Sequence, residues 1–121
     1  MLNRNLIYSY VYTQKDKDLE VFRDILIRVK EETFKSSSKL HFVFLPCWKR
    51  YGRNINQEKF ESREKVLSIV KQLDIPIIDI HKVFYSHPDP LSLFPFRSRN
   101  HYNSNGYALV AKTINDYLLN E

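Results

Sequence analysis

Between residues 19 and 34 the apolar positions recur at helical spacing. Leu19, Phe22, Ile25, Leu26 and Val29 fall on one face, and Glu20, Arg23, Asp24, Arg28 and Lys30 cover the rest. The pattern predicts a helix there, with Asp18 as its N-cap. A second stripe of Phe60, Val66, Leu67, Ile69, Val70 and Leu73 predicts a helix over residues 58–73, ended by Asp74, Ile75 and Pro76. A third, with Tyr107, Val110, Ile114, Tyr117 and Leu118 inside, predicts a helix from a Ser104 cap to about residue 119. Two short runs carry almost no polar alternation: LHFVFL at 40–45, followed by Pro46, and IPIIDI at 75–80. Strands buried on both faces have this composition. LIYSYVYT at 6–13 has the tyrosines and β-branched residues of a strand, with a helix end as the alternative, and 15–18 reads as a charged turn. Residues 35–39 and 47–57 read as loops, and 81–86 as one helical turn. Residues 87–103, with Pro88, Pro90 and Pro95, form a long connection of the kind that often carries function.

Helix, strand, helix, strand, loop, helix is the order of an α/β layer fold with a parallel sheet and a right-handed crossover. Two or three strands make a poor sheet alone, and strands this apolar need neighbours. The pattern therefore resembles one side of a larger doubly wound domain. Either an N-terminal half or a partner chain is expected to complete the sheet, and the isolated chain is expected to be poorly stable or to self-associate.

The 121 residues suit one domain, with 43% apolar and 27% charged positions in the ordinary globular range. Only Gly52 and Gly106 are glycines, which excludes a glycine-rich phosphate loop. Lys plus Arg exceed Asp plus Glu by 19 to 14, but the charge is spread along the chain. Its densest run, Lys49-Arg50-Tyr51-Gly52-Arg53, reads as a solvated loop in preference to a phosphate site, and no nucleic-acid partner is expected. Cys47, the sole cysteine, cannot form an internal disulfide and reads as buried and structural. His41, His81, His87 and His101 lack the close pairing of an HExxH site, and no paired CxxC occurs, so neither a metal nor a cofactor is expected. Residues 6–11 are too short and too interrupted for a secretory signal, and no stretch approaches the roughly 20 apolar residues of a membrane span.

The stretch from Asp79 to Ile114 carries the candidate chemistry, because functional groups in open α/β sheets sit beyond the carboxyl ends of strands. His101 lies there, immediately before a helix. The run HYNSNGYALVA at 101–111 resembles the last sequence block of the SGNH (GDSL-like) hydrolases. FVFLP at 42–46 is similar to that family's late strand ending in proline, and IPIIDI to the strand before its histidine loop. The resemblance covers roughly residues 19–118. It implies a partial three-layer α/β/α flavodoxin-like fold with a parallel sheet, residues 1–121 forming the C-terminal portion of one domain. It also implies hydrolysis of a small-molecule or glycan ester through an acyl-enzyme, with His101 as the base that activates a serine. The alternative for His101 is a capping or core residue at a helix start.

The departures bear on activity. The family's aspartate stands two or three residues before the histidine, where this chain has Arg99 and Ser98. Asp89 is the candidate acid by loop geometry, or else a turn residue between two prolines, and Asp79 is a weaker candidate. No Gly-Asp-Ser follows a strand. Ser36, Ser37 and Ser38 follow a helix, and Gly52 and Asn54 do not reproduce the family's oxyanion blocks. Without a nucleophile and oxyanion donors the isolated chain is expected to be inactive. A non-catalytic binding domain of the same fold is the alternative reading. Trp48 and Tyr51 follow Pro46 and would lie on the rim with His101, either stacking on a sugar or forming a plain surface loop.

Overall fold

The structure is a computed structural model that describes residues 4–53 and 61–121. Helix α1 (Arg4–Lys35) is 32 residues long, so the expected strand at 6–13 and the expected turn at 15–18 are both helical, and Asp18 lies inside the helix instead of capping it. The physical reason is continuity. No glycine or proline occurs before Pro46, and an established helix extends at small cost through residues that would favour a strand in isolation. The helix stops at Ser37, which turns left-handed (φ 54°), with Ser38 N–H donating to the Thr33 carbonyl (2.8 Å) and Ser37 N–H to that of Phe34 (3.1 Å). This is a Schellman ending with serine in the usual glycine place.

Strand β1 (Phe42–Phe44) follows, then helix α2 (Glu61–Gln72). The expected start of α2 at residue 58, with Phe60, and the end of the expected 47–57 loop, with Asn54, lie outside the described residues. The ending of α2 repeats that of α1. Asp74 is left-handed (φ 53°), Ile75 N–H donates to the Val70 carbonyl, and Ile75 is buried. Strand β2 (Ile77–Asp79) pairs parallel with β1 in the register Phe42 to Ile77, Val43 to Ile78 and Phe44 to Asp79. It runs directly into helix α3 (Ile80–Tyr85), and helix α4 (Ser104–Leu119) closes the chain.

The pleat sorts the strands' side chains onto two faces. Phe42 and Ile77 pack with Leu26 of α1 and with Ile69 and Val70 of α2. Val43 and Ile78 pack on the other side with Ile80 and Phe84 of α3, with Leu93 and Phe94, and with Tyr102 and Val110. A parallel α/β arrangement with helices on both faces is therefore present, on a sheet of two short strands among the described residues. Enclosure is less complete than the apolar runs implied. All three β1 residues are only half-buried. On α1, Ile25 is 53% exposed. On α4 only Gly106 and Val110 are buried, while Tyr107, Tyr117 and Leu118 of the expected inner stripe are exposed.

The start of α4 is the tightest joint. Asn103, not Ser104, is its N-cap. The Asn103 side chain accepts from Gly106 N–H (3.0 Å) and donates to the Ser92 carbonyl (2.7 Å). A Cβ on Gly106 would lie 2.5 Å from the Leu93 carbonyl oxygen and 2.8 Å from Tyr102 Cβ. Alanine would raise helix propensity by about 1 kcal/mol, but a backbone carbonyl cannot yield that space. Gly106→Ala is expected to destabilise the protein by about 1–3 kcal/mol net, measured as a lower urea midpoint with unchanged far-UV circular dichroism.

Candidate functional site

The carboxyl ends of β1 and β2 open onto one rim, built from Pro46, Cys47, the 3₁₀ turn Trp48–Tyr51 and the start of α3. Asp79 terminates β2 and caps α3 by accepting from His81 N–H (3.2 Å). Its other oxygen pairs with Arg63 of α2, and the two side chains are 9% and 12% exposed. Breaking such a buried pair costs about 3–5 kcal/mol because one charge is left uncompensated. Arg63 also reaches the exposed Glu64 at 2.6 Å. The guanidinium carbons of Arg50 and Arg63 lie 5.2 and 5.4 Å from the centre of the Phe44 ring.

Tyr51 and His81 form the second element of the rim. The Tyr51 hydroxyl lies 2.9 Å from His81 Nδ1, and the rings are 5.6 Å apart. Burial pushes the Tyr51 hydroxyl well above the ordinary phenol range. Burial, followed by the charges of Arg63 and Arg50, holds the His81 imidazole below its usual value. A neutral ring can either accept this hydrogen bond from the phenol or donate it, according to its tautomer. Trp48 and Tyr51 both pack against the core, and Cys47 is half-buried.

The His101 segment is fixed to this rim by its neighbour. Tyr102 is 8% exposed, and its hydroxyl donates to the Pro46 carbonyl at 2.6 Å, just beyond β1. Its ring centre lies 5.1 Å from that of Phe84, 5.3 Å from Phe94 and 5.4 Å from Tyr107. Burial raises its hydroxyl to about 12. Asn103 N–H donates to the Leu93 carbonyl (3.0 Å). His101 itself is exposed.

Asp89 and His101 are not paired. The Asp89 carboxylate is held by Arg97 in a two-point contact (2.8 and 2.9 Å), which lowers the acid and raises the base. The pair closes the loop 89–97, where Phe96 and Arg97 are left-handed (φ 51° and 60°). Asp79 serves α3 and Arg63. Ser36 and Ser38 lie before β1, at the opposite end of the sheet from the rim, and Ser36 Oγ contacts the carbonyls of Glu32 and Thr33. Among the described residues no group of three His, Cys, Asp or Glu side chains could hold a metal, and no described helix is long and apolar enough to cross a membrane.

Sequence reasoning missed Tyr102 and Arg63. The aromatic identity of Tyr102 beside His101 was a usable signal. Arg63 sits among other charged residues of α2 and carried none. No family model, curated protein or solved structure matches the chain.

The low imidazole value has a sign. The folded protein holds fewer protons at His81 than the unfolded chain does, so stability falls as pH drops below the ordinary histidine value of 6.5. Asp89 and Glu121, both held low by their partners, lose their contributions only in the carboxylate range near 4 and below. The urea midpoint is expected to decline as pH falls below about 6.5, above the carboxylate range. In His81→Asn, whose side-chain amide can still hydrogen-bond Tyr51, that decline should disappear while the acid limb remains.

Proposed function

We propose that residues 1–121 are the C-terminal portion of an SGNH-type ester hydrolase domain, a three-layer α/β/α flavodoxin-like fold in which His101 is the general base. One observation carries the reading. The Tyr102 hydroxyl bound to the Pro46 carbonyl holds the histidine segment beyond the carboxyl end of a parallel strand. Helices on both faces of the strand pair, with half-buried β1 residues, fit a sheet that continues further.

In this reading the nucleophile serine and oxyanion donors come from a segment other than these residues, on the same polypeptide, a partner chain or an associated copy. His101 takes the serine proton as Oγ attacks the ester carbonyl. It returns that proton to the departing alcohol, and water then releases the acyl group. The substrate class is a small-molecule or glycan ester. Asp89, engaged with Arg97, is the acid only if that ion pair opens.

The second reading is a non-catalytic binding domain of the same fold, favoured by the exposure of His101 and the engagement of Asp89 elsewhere. The two separate by labelling the native protein, purified from its own cells, with a fluorophosphonate. The hydrolase reading expects a labelled serine in the polypeptide or complex that carries residues 1–121, and labelling slowed about 10²–10⁴-fold by His101→Ala. No labelled serine, or labelling indifferent to His101→Ala, sinks it in favour of the binding domain.

A further inference from the structure

We propose that the rim beyond β1 and β2 docks the protein on an anionic membrane surface, with the Phe96 ring as the inserted group. Phe96 is 87% exposed, whereas Phe94, two residues before it, is 2% exposed. The Phe96 backbone is left-handed (φ 51°, ψ 20°), and Arg97 follows at φ 60°. Two successive non-glycine residues in that region carry strain, which persists only where the surroundings impose it. Two contacts impose it. Phe94 packs edge-on against Phe84 and Tyr102 beneath the loop, and Asp89 grips Arg97 at two points. The loop thus presents one aromatic ring to the solvent from a firmly anchored base.

The charges beside the ring point to the partner. Residues 96–101 read FRSRNH, are all exposed and include no acid. The turn that carries Lys49 and Arg53 adjoins this loop, with the rings of Tyr51 and Phe94 6.0 Å apart. Lys49, Arg53 and Arg99 are exposed, and none is paired with an acid among the described residues. Tyr85, 73% exposed, adds a second ring, 5.8 Å from that of His81. Phe34, at the other end of the sheet, makes the contrast. It is 84% exposed, but Lys35 and Lys39 near it are matched by Glu32 and Glu121. The rim joins exposed rings to uncompensated positive charge. Aromatic rings at the headgroup level with cations around them are what anchors a protein at a bilayer interface. Each cation near anionic lipid adds to the attraction. A single-stranded nucleic acid calls instead for a cationic groove that tracks its backbone, and these rings and cations stand on the ends of separate segments. Docking of this kind goes beyond the hydrolase reading and uses neither a base at His101 nor a serine.

Co-sedimentation of the full chain with lipid vesicles near neutral pH tests this. Binding to phosphatidylcholine vesicles that carry phosphatidylserine is expected, about tenfold or more tighter than to phosphatidylcholine alone, and weakened by salt. Phe96→Ala should weaken binding by about tenfold and Arg99→Gln by about fivefold. Phe96→Gly should lose as much binding as Phe96→Ala while keeping or raising the urea midpoint, because glycine accepts a left-handed turn. Phe34→Ala should bind as the wild type does. The proposal is overturned by equal binding to both kinds of vesicle or binding to neither, or by wild-type binding in any of the three loop variants. A lower midpoint in Phe96→Gly, an equal loss in Phe34→Ala, or binding to single-stranded polyuridylate in place of vesicles also overturns it. None of these results bears on fluorophosphonate labelling.

Discussion

The hydroxyl of Tyr102 on the carbonyl of Pro46 is the contact on which the second half of the molecule depends. It joins residues 56 positions apart and satisfies a strand-end carbonyl whose residue is buried. Leaving such a group without a partner costs about 1–3 kcal/mol. The ring beneath the hydroxyl fills the space between Phe84 and Phe94, edge-on to both. Gly106 then lets α4 approach closer than any side chain would allow, and Asn103 ties the same turn to Leu93 and Ser92. One tyrosine thus sets the positions of a strand end, a short helix, a loop and the last helix. The exposed His101 takes its place as the neighbour of that anchor.

How much of this could be read from the residues follows from the range of each interaction. The stripe of Ile69 and Val70 in α2 and the two apolar runs located a helix and both strands, because periodicity is a local signal. Tyrosines and β-branched residues in 6–13 misdirected the same reasoning, since strand preference there yields to an unbroken helix with nothing to stop it. The apolar stripe of α4 was seen correctly as periodic but not as exposed. Periodicity shows which residues share a face, whereas burial depends on what covers that face. Asn103 and Ser104 are equally good cap residues, and only the backbone turn decides between them. Tyr102 with Pro46, Arg63 with Asp79 and Asp89 with Arg97 are side-chain choices that no spacing rule anticipates.

The uncovered apolar residues share a physical origin with the shortness of the sheet. Two parallel strands of three residues cannot present enough surface to bury helices of 32 and 16 residues. Ile25, Tyr117 and Leu118 therefore keep the character of core-facing positions while meeting water, and Leu45, just beyond β1, is 55% exposed. An isolated exposed leucine needs no explanation. Several of them on two helices, beside half-buried strand residues, are what an α/β layer looks like where its sheet is narrower than its helices.

The charges on the rim bear on which chemistry this arrangement favours. A histidine base gains much of its power from a carboxylate that fixes its tautomer and steadies its positive form, and losing that group costs about 10⁴ in rate in a triad. Here the loop acid is committed to Arg97 and the strand-end acid to Arg63, so neither orients His101. His81 has its Nδ1 occupied by Tyr51, and burial, followed by the charges of Arg63 and Arg50, opposes its protonation. The acids of this region serve to hold arginines, and the arginines converge on one aromatic ring. Catalysis by His101 would therefore need an acid released from its arginine, or one supplied by a segment beyond the described residues.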